Sequence, residues 1–212
     1  DYNVFFQTFS KLKNLAVELR NLGYEVNHLD LGGGFGVDYT MKNSLNYKSF
    51  SKALNEIFKN NEFQLSVEPG RSLIAESGVL LTKVIRTKST NYKNFLIVDA
   101  AMNNLIRPTL YNAIHSIQPL KIKSDRSSKK YDIVGPICET GDFLGIDFNL
   151  QETKKNEVLA IMTCGAYGSV MRSNYNSRPS AAEVFIFNNK EILLRKREKI
   201  DQLLNLDIIP NF

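Results

Sequence analysis

Glu25-Val26-Asn27-His28-Leu29-Asp30-Leu31-Gly32-Gly33-Gly34-Phe35-Gly36 is the stretch that decides the fold. A short apolar strand running straight into a glycine run marks the C-terminal end of a strand, the face on which barrel enzymes bind their ligands. Without Cβ atoms, such a loop lets backbone N–H groups point into a phosphate; a purely structural tight turn uses the same glycines. The run lacks the G-x-G-x-x-G spacing of a dinucleotide site. Upstream, Phe5, Phe6, Phe9, Leu12, Leu15, Ala16, Leu19 and Leu22 recur at three-to-four spacing ahead of Gly23, which predicts an amphipathic helix with its stop. Downstream, Tyr47, Phe50, Ala53, Leu54, Ile57 and Phe58 predict a second helix, and Gln64 to Glu68 a second strand ended by Pro69-Gly70. Helix, strand, helix, strand implies parallel strands with crossover helices. Two such units cannot close a barrel, so residues 1–77 read as the C-terminal part of a larger (β/α)8 barrel, and the chain as a fragment.

After about Ser77 the texture changes. Short apolar runs (Val79 to Ile85, Phe95 to Val98, Tyr131 to Val134, Val158 to Met162, Val184 to Phe187, Ile192 to Leu194) alternate with turn-rich breaks. Asn188-Asn189-Lys190 reads as a hairpin turn. Residues 78–212 are therefore expected to form an antiparallel β domain, a barrel or sandwich, closed by a short helix over Lys199 to Leu206. The 212 residues suffice for a core, and no segment is long and apolar enough to span a membrane. Asp1-Tyr2-Asn3 is no basic signal-peptide start, and two cysteines make no disulfide framework, which points to a reducing cytoplasm. The net charge of +5 comes from scattered lysines in an asparagine-rich chain, a poor match to a nucleic-acid surface. No metal site is expected.

Several short motifs carry chemistry. Glu68-Pro69-Gly70-Arg71 puts a carboxylate and a guanidinium at the second strand's end, either as a surface pair around a turn or as partners for a ring nitrogen and a phosphate. Arg107 and Tyr111 flank a proline-started turn, four residues apart, and can grip a carboxylate together. Cys138-Glu139 sits in a polar, glycine-flanked loop where a thiol can exchange protons, whereas Cys164, in an apolar strand, reads as a small buried hydrophobe. Gly165-Ala166-Tyr167-Gly168 leads into Ser173-Asn174-Tyr175-Asn176-Ser177-Arg178-Pro179. Tyr167 taken alone is equally an ordinary core tyrosine. His28 and His115 fit no motif.

These motifs, in this order, resemble the C-terminal half of the diaminopimelate decarboxylases, which belong to the fold-type III pyridoxal-phosphate decarboxylases. The resemblance covers nearly the whole chain and implies pyridoxal 5′-phosphate as cofactor. It places Gly34 on the phosphate, Glu68 on the pyridine nitrogen within the cofactor-binding Glu68-Pro69-Gly70-Arg71 motif, and Arg71 near the phosphate and a substrate carboxylate. It makes Cys138 the proton donor to the α-carbon, Glu139 the partner of the substrate's distal ammonium, and Tyr167 a contact of cofactor and substrate. Arg107 and Tyr111 then bind the substrate's distal end. It also implies a homodimer with each thiol loop serving the neighbouring site, meso-diaminopimelate as substrate, L-lysine as product, and a cofactor-bearing lysine outside this chain. Ornithine and arginine decarboxylases of this fold carry Asp after the cysteine. The chain departs from the pattern at Ala101, where the family has Gly, and at Asn104, where it has Asp. A decarboxylase of another basic amino acid and a non-catalytic regulatory homologue are the alternatives.

Overall fold

Helix α1 (Tyr2–Asn21) ends as its sequence dictates. Gly23, at φ 91°, turns the chain so that Tyr24 N–H reaches Leu19 O (3.0 Å) and Gly23 N–H reaches Arg20 O (3.0 Å), a glycine C-terminal motif. In the computed structural model, which describes residues 2–41, 47–60, 62–208 and 210, the chain divides into two compact units, Asp1–Ile74 and Ala75–Phe212. That division falls just before the 77/78 boundary read from the sequence. Asp1, at the non-basic start, and Asn211 and Phe212, at the end of the expected β domain, lie outside the described residues.

In the first unit, strands β1 (His28–Asp30) and β2 (Gln64–Ser66) pair in parallel, in register His28 with Gln64 through Asp30 with Ser66. Between them runs α2 (Tyr47–Ile57), the crossover that parallel strands require. Both strands are shorter than their apolar runs. The core is aromatic: Phe50 meets Phe5 and Phe9 edge-on at 5.3 and 5.5 Å, over buried Phe9, Ala16, Leu29 and Ala53. The predicted α1 stripe is wider than the buried face, since Leu15 and Leu22 are exposed. Past β2, Pro69 leads into the short helix α3 (Gly70–Ile74).

The second unit is built on one six-stranded sheet. Its strands are β3 (Leu80–Ser89), β4 (Asn94–Val98), β5 (Ile117–Pro119), β6 (Ser128–Val134), β7 (Phe143–Gln151) and β8 (Val158–Ile161), in the order β5-β8-β3-β4-β6-β7. The expected all-antiparallel arrangement needs correcting: β4 pairs with β6 in parallel, Phe95 opposite Asp132. The segment between them, which holds the short helix α4 (Arg107–Tyr111) and β5, carries the chain back to the same end of the sheet. The sheet is thus mixed and nearly closed. Its edge strands approach where Ile117 Cδ1 lies 3.0 Å from the place a Cβ on Gly145 would take. Inward positions fill the core, with Val84, Leu96, Val98, Leu105, Ile133, Leu144, Leu159 and Ile161 all fully buried.

A separate hairpin joins β9 (Glu183–Phe187) and β10 (Lys190–Arg195). Asn188 and Asn189, at φ 48° and 58°, form the primed turn expected of such a pair. The closing helix α5 is only Ile200–Leu203. Among the described residues, no helix is long and apolar enough to cross a membrane.

Candidate active site

The site residues predicted from sequence fall into two groups, one in each unit. In the first unit the glycine loop and the Glu68 segment are stitched together. Leu31 N–H donates to Ser66 O (2.9 Å) and Glu68 N–H to Gly32 O (2.9 Å). Gly32 and Gly34 adopt φ 70° and 80°, and a Cβ on Gly33 would lie 2.5 Å from Glu68 O. Only glycine lets the two backbones approach this closely. Above Gly34 the space is open, and Glu68 and Arg71 are both exposed beside the loop. Pro69 O caps the start of α3, accepting from Leu73 N–H and from Ser72 Oγ.

Asp30, which carried no role in the sequence reading, holds this loop. Its Oδ1 accepts from Gly32 N–H (2.7 Å) and its Oδ2 from Ser66 Oγ (2.9 Å), whose oxygen lies 3.0 Å from His28 Nε2. The Gly32 N–H bond, then Ser66 and the nearby His28, hold the Asp30 carboxyl below the usual carboxylate range. An Asp just before a glycine run, able to bond the N–H two residues on, was the readable signal.

In the second unit, α4 carries Arg107 and Tyr111 on one turn. Pro108 stands in its first turn, and Asn112 at φ 50° ends it. The Arg107 guanidinium lies 5.8 Å from the ring centroids of both Tyr111 and Tyr167, and the residue is buried. Two aromatic faces favour a cation there. Tyr167, half exposed, stands at φ 58° in a loop that only its flanking glycines permit. A Cβ on Gly168 would lie 2.3 Å from Cys164 O, and Gly78 packs back to back on Gly165. Beneath them His115 is fully buried, its Nδ1 3.0 Å from Met162 O; burial pushes its pKa down.

Cys138 is exposed, in a loop organised by the buried Asp142. Asp142 Oδ1 accepts from Met102 N–H and Oδ2 from Ile137 N–H, both at 2.7 Å, and a Cβ on Gly135 would collide with that carboxylate at 2.3 Å. Thr109 Oγ1, on α4, donates to Gly141 O (2.5 Å). The thiol–carboxylate pair Cys138-Glu139 is therefore tied to the helix that bears Arg107 and Tyr111. Asn104 Oδ1 accepts from Ala101 N–H (3.1 Å) and holds the turn ahead of α4. The bonds made by Asp142 span up to 40 residues, and no local sequence pattern announces them.

Comparison with known proteins places the chain in a family. A family model for the pyridoxal-dependent decarboxylases, C-terminal sheet domain, matches residues 14–165. The chain is 41% identical over 211 residues to the diaminopimelate decarboxylase of Aquifex aeolicus and 43% identical over 206 residues to that of Vibrio cholerae. These matches cover 98% and 97% of the chain but 50% and 49% of the relatives, so the chain spans about half the length of the curated relatives it matches. Among solved structures, diaminopimelate decarboxylase from Helicobacter pylori complexed with L-lysine superimposes with a TM-score of 0.88 at 35% identity, over 97% of this chain and 51% of that one. The M. jannaschii enzyme in co-complex with L-lysine gives 0.91 at 33%, over 99% and 49%. A Paramecium bursaria Chlorella virus arginine decarboxylase, 19% identical with a TM-score of 0.74 over 84% of this chain and 48% of that one, shares the fold alone. With a family model matching most of the chain and close relatives aligned along nearly all of it, the chain belongs to the pyridoxal-dependent decarboxylases and carries their C-terminal sheet domain.

Proposed function

We propose that the protein containing this chain removes CO2 from meso-2,6-diaminopimelate to give L-lysine, as a pyridoxal 5′-phosphate enzyme. The observation that carries the reading is the tie of the Cys138 loop to α4 through Thr109 and, through Asp142, to Met102 in the connection leading into α4. It fixes a cation–tyrosine pair in this chain's own site and, on the same support, the thiol–carboxylate pair that the loop offers to the neighbouring copy, so that two symmetric copies bring both pairs to each substrate. A substrate whose far end bears both a carboxylate and an ammonium needs partners of both signs, and a plain diamino acid does not.

The first unit suits the cofactor: a glycine loop with positive φ at Gly32 and Gly34, no room for a side chain at Gly33 and open space above Gly34 stands beside an exposed carboxylate and guanidinium. Bound there, pyridoxal phosphate supplies the sink for the electron pair released when the Cα–carboxylate bond breaks. Gly34 and Arg71 hold the phosphate, Arg71 also meets a substrate carboxylate, and Glu68 keeps the ring nitrogen protonated. Pro69 and Gly70 turn the chain between those two side chains. Arg107, buried between two tyrosine rings, is a desolvated cation and so a stronger partner for the distal carboxylate than a surface arginine. Tyr111 shares that carboxylate, and Glu139 takes the distal ammonium. Tyr167 lines the cofactor side, and Cys138 delivers a proton to the α-carbon from its thiol.

In this reading residues 1–77 end a (β/α)8 barrel and residues 78–212 form the β domain. Two copies make a homodimer in which each Cys138 loop completes the partner's site, and the enzyme works in the cytoplasm. Steady-state CO2 release by the whole protein from meso-diaminopimelate, L-ornithine and L-arginine tests the substrate directly. Turnover of the first alone is expected; comparable turnover of ornithine would contradict it.

A further inference from the structure

The segment Ser173–Pro179 lies against the thiol loop and has no part in the chemistry proposed above. Its backbone is bent in a way few L-residues adopt, with Asn176 at φ 59° and Ser177 at φ 52° in succession. Asn tolerates this region, as in the Asn188-Asn189 hairpin turn, but Ser177 adopts it at a cost, and such strain persists where the surroundings hold it and gathers at functional sites. Here the surroundings do so. Asn103, fully buried, donates from Nδ2 to Ser173 O (3.2 Å) and accepts Ser173 N–H at its main-chain O (3.0 Å). Its Oδ1 accepts from Arg178 Nε (3.3 Å), and Arg178 Nη2 donates to Asp99 O (2.6 Å). The strap is thus pinned at both ends to the β4–α4 connection.

Between the pins stands Tyr175. Its hydroxyl donates to Glu139 Oε2 (3.4 Å), while Gly141 N–H donates to Glu139 Oε1 (3.4 Å). Both carboxylate oxygens are steered, yet these bonds are long enough to leave them able to accept from a ligand. With Met102, Asn103, Ile106 and Ser173, Tyr175 also lines a cavity of about 440 Å³.

We infer that Tyr175 is a positioning residue for substrate selection: held by the strained strap, its hydroxyl aims the Glu139 carboxylate at the substrate's distal ammonium. The inference rests on the proposed role of Glu139. Tyr175 and Glu139 belong to one chain, so they move together into whichever site the loop serves.

Kinetics of the whole protein with Tyr175→Phe, Glu139→Gln and the double variant test it. Tyr175→Phe removes only the hydroxyl of a half-exposed side chain. It is expected to raise KM for meso-diaminopimelate about three- to tenfold, with kcat within about twofold and cofactor content unchanged, the scale of one ordinary hydrogen bond, as suits a long contact. In the Glu139→Gln background the same change should add less than about twofold, because the group it aims is gone. If Glu139→Gln raises KM but Tyr175→Phe does not, the inference alone falls. Full additivity in the double variant also overturns it, since Tyr175 would then act independently of Glu139. If Glu139→Gln leaves KM unchanged, the proposed role of Glu139 falls and takes this inference with it.

Discussion

Cys138 and Cys164 show how strongly one residue type depends on its surroundings. Cys164 is buried above His115, its Sγ within 3.2 Å of Ile161 O, and desolvation pushes its pKa up to about 12. It is a neutral, enclosed thiol at any physiological pH, and it serves packing. Cys138 is exposed on a loop whose course is set by two hydrogen bonds to Asp142. An alkylating reagent at mild alkaline pH should therefore label Cys138 in the native chain and reach Cys164 only after denaturation, as intact-mass analysis would report. Native labelling of both would contradict this assignment. The sequence distinguished the two thiols, because one follows an apolar run and the other lies among Gly, Thr and Asp, although β8 ends at Ile161 and Cys164 stands just past it rather than in the strand. It did not reveal Asp142 as the organiser, since that carboxylate works through backbone partners made adjacent only by folding.

At the scale of elements, the glycines of the first loop have separable jobs. A Cβ at Gly33 would press on Glu68 O at 2.5 Å, backbone against backbone, whereas one at Gly70 meets nothing within 4 Å. Gly33→Ala should cost about 1–3 kcal/mol in the chain's stability by overpacking, and in the whole protein it should weaken retention of pyridoxal phosphate. Gly70→Ala, inside α3, should be neutral or slightly stabilising. Thermal melts of both variants, with cofactor content of the whole protein, check the contrast; equal effects would show that the close approach is not what the loop needs. Elements with local signals were legible: α1 with Gly23, the parallel strands entering glycine and proline loops, and the Asn188-Asn189 hairpin. Strands β5 and β7 were not. β5 has three residues and ends on Pro119. β7 contains Gly145 and, at φ 55°, Asp147, which disrupt the two-residue alternation. The parallel pairing of β4 with β6 is a non-local choice that no run of apolar residues encodes.

For the whole molecule, the chain carries two compact units and spans about half the length of its curated relatives. None of its lysines lies in a motif resembling a cofactor-bearing site, so the 212-residue chain purified alone with pyridoxal phosphate should release no CO2 from meso-diaminopimelate. Release would show that one of these lysines serves. The central claim is that this sheet domain brings the proton-donating thiol to a pyridoxal-phosphate decarboxylation. Its most direct test is the steady-state rate of the whole protein on meso-diaminopimelate with Cys138→Ala. The account predicts unchanged cofactor content and a kcat lowered by roughly 10²-fold or more, the scale of losing a positioned acid; a rate near wild type would make Cys138 a bystander and contradict it.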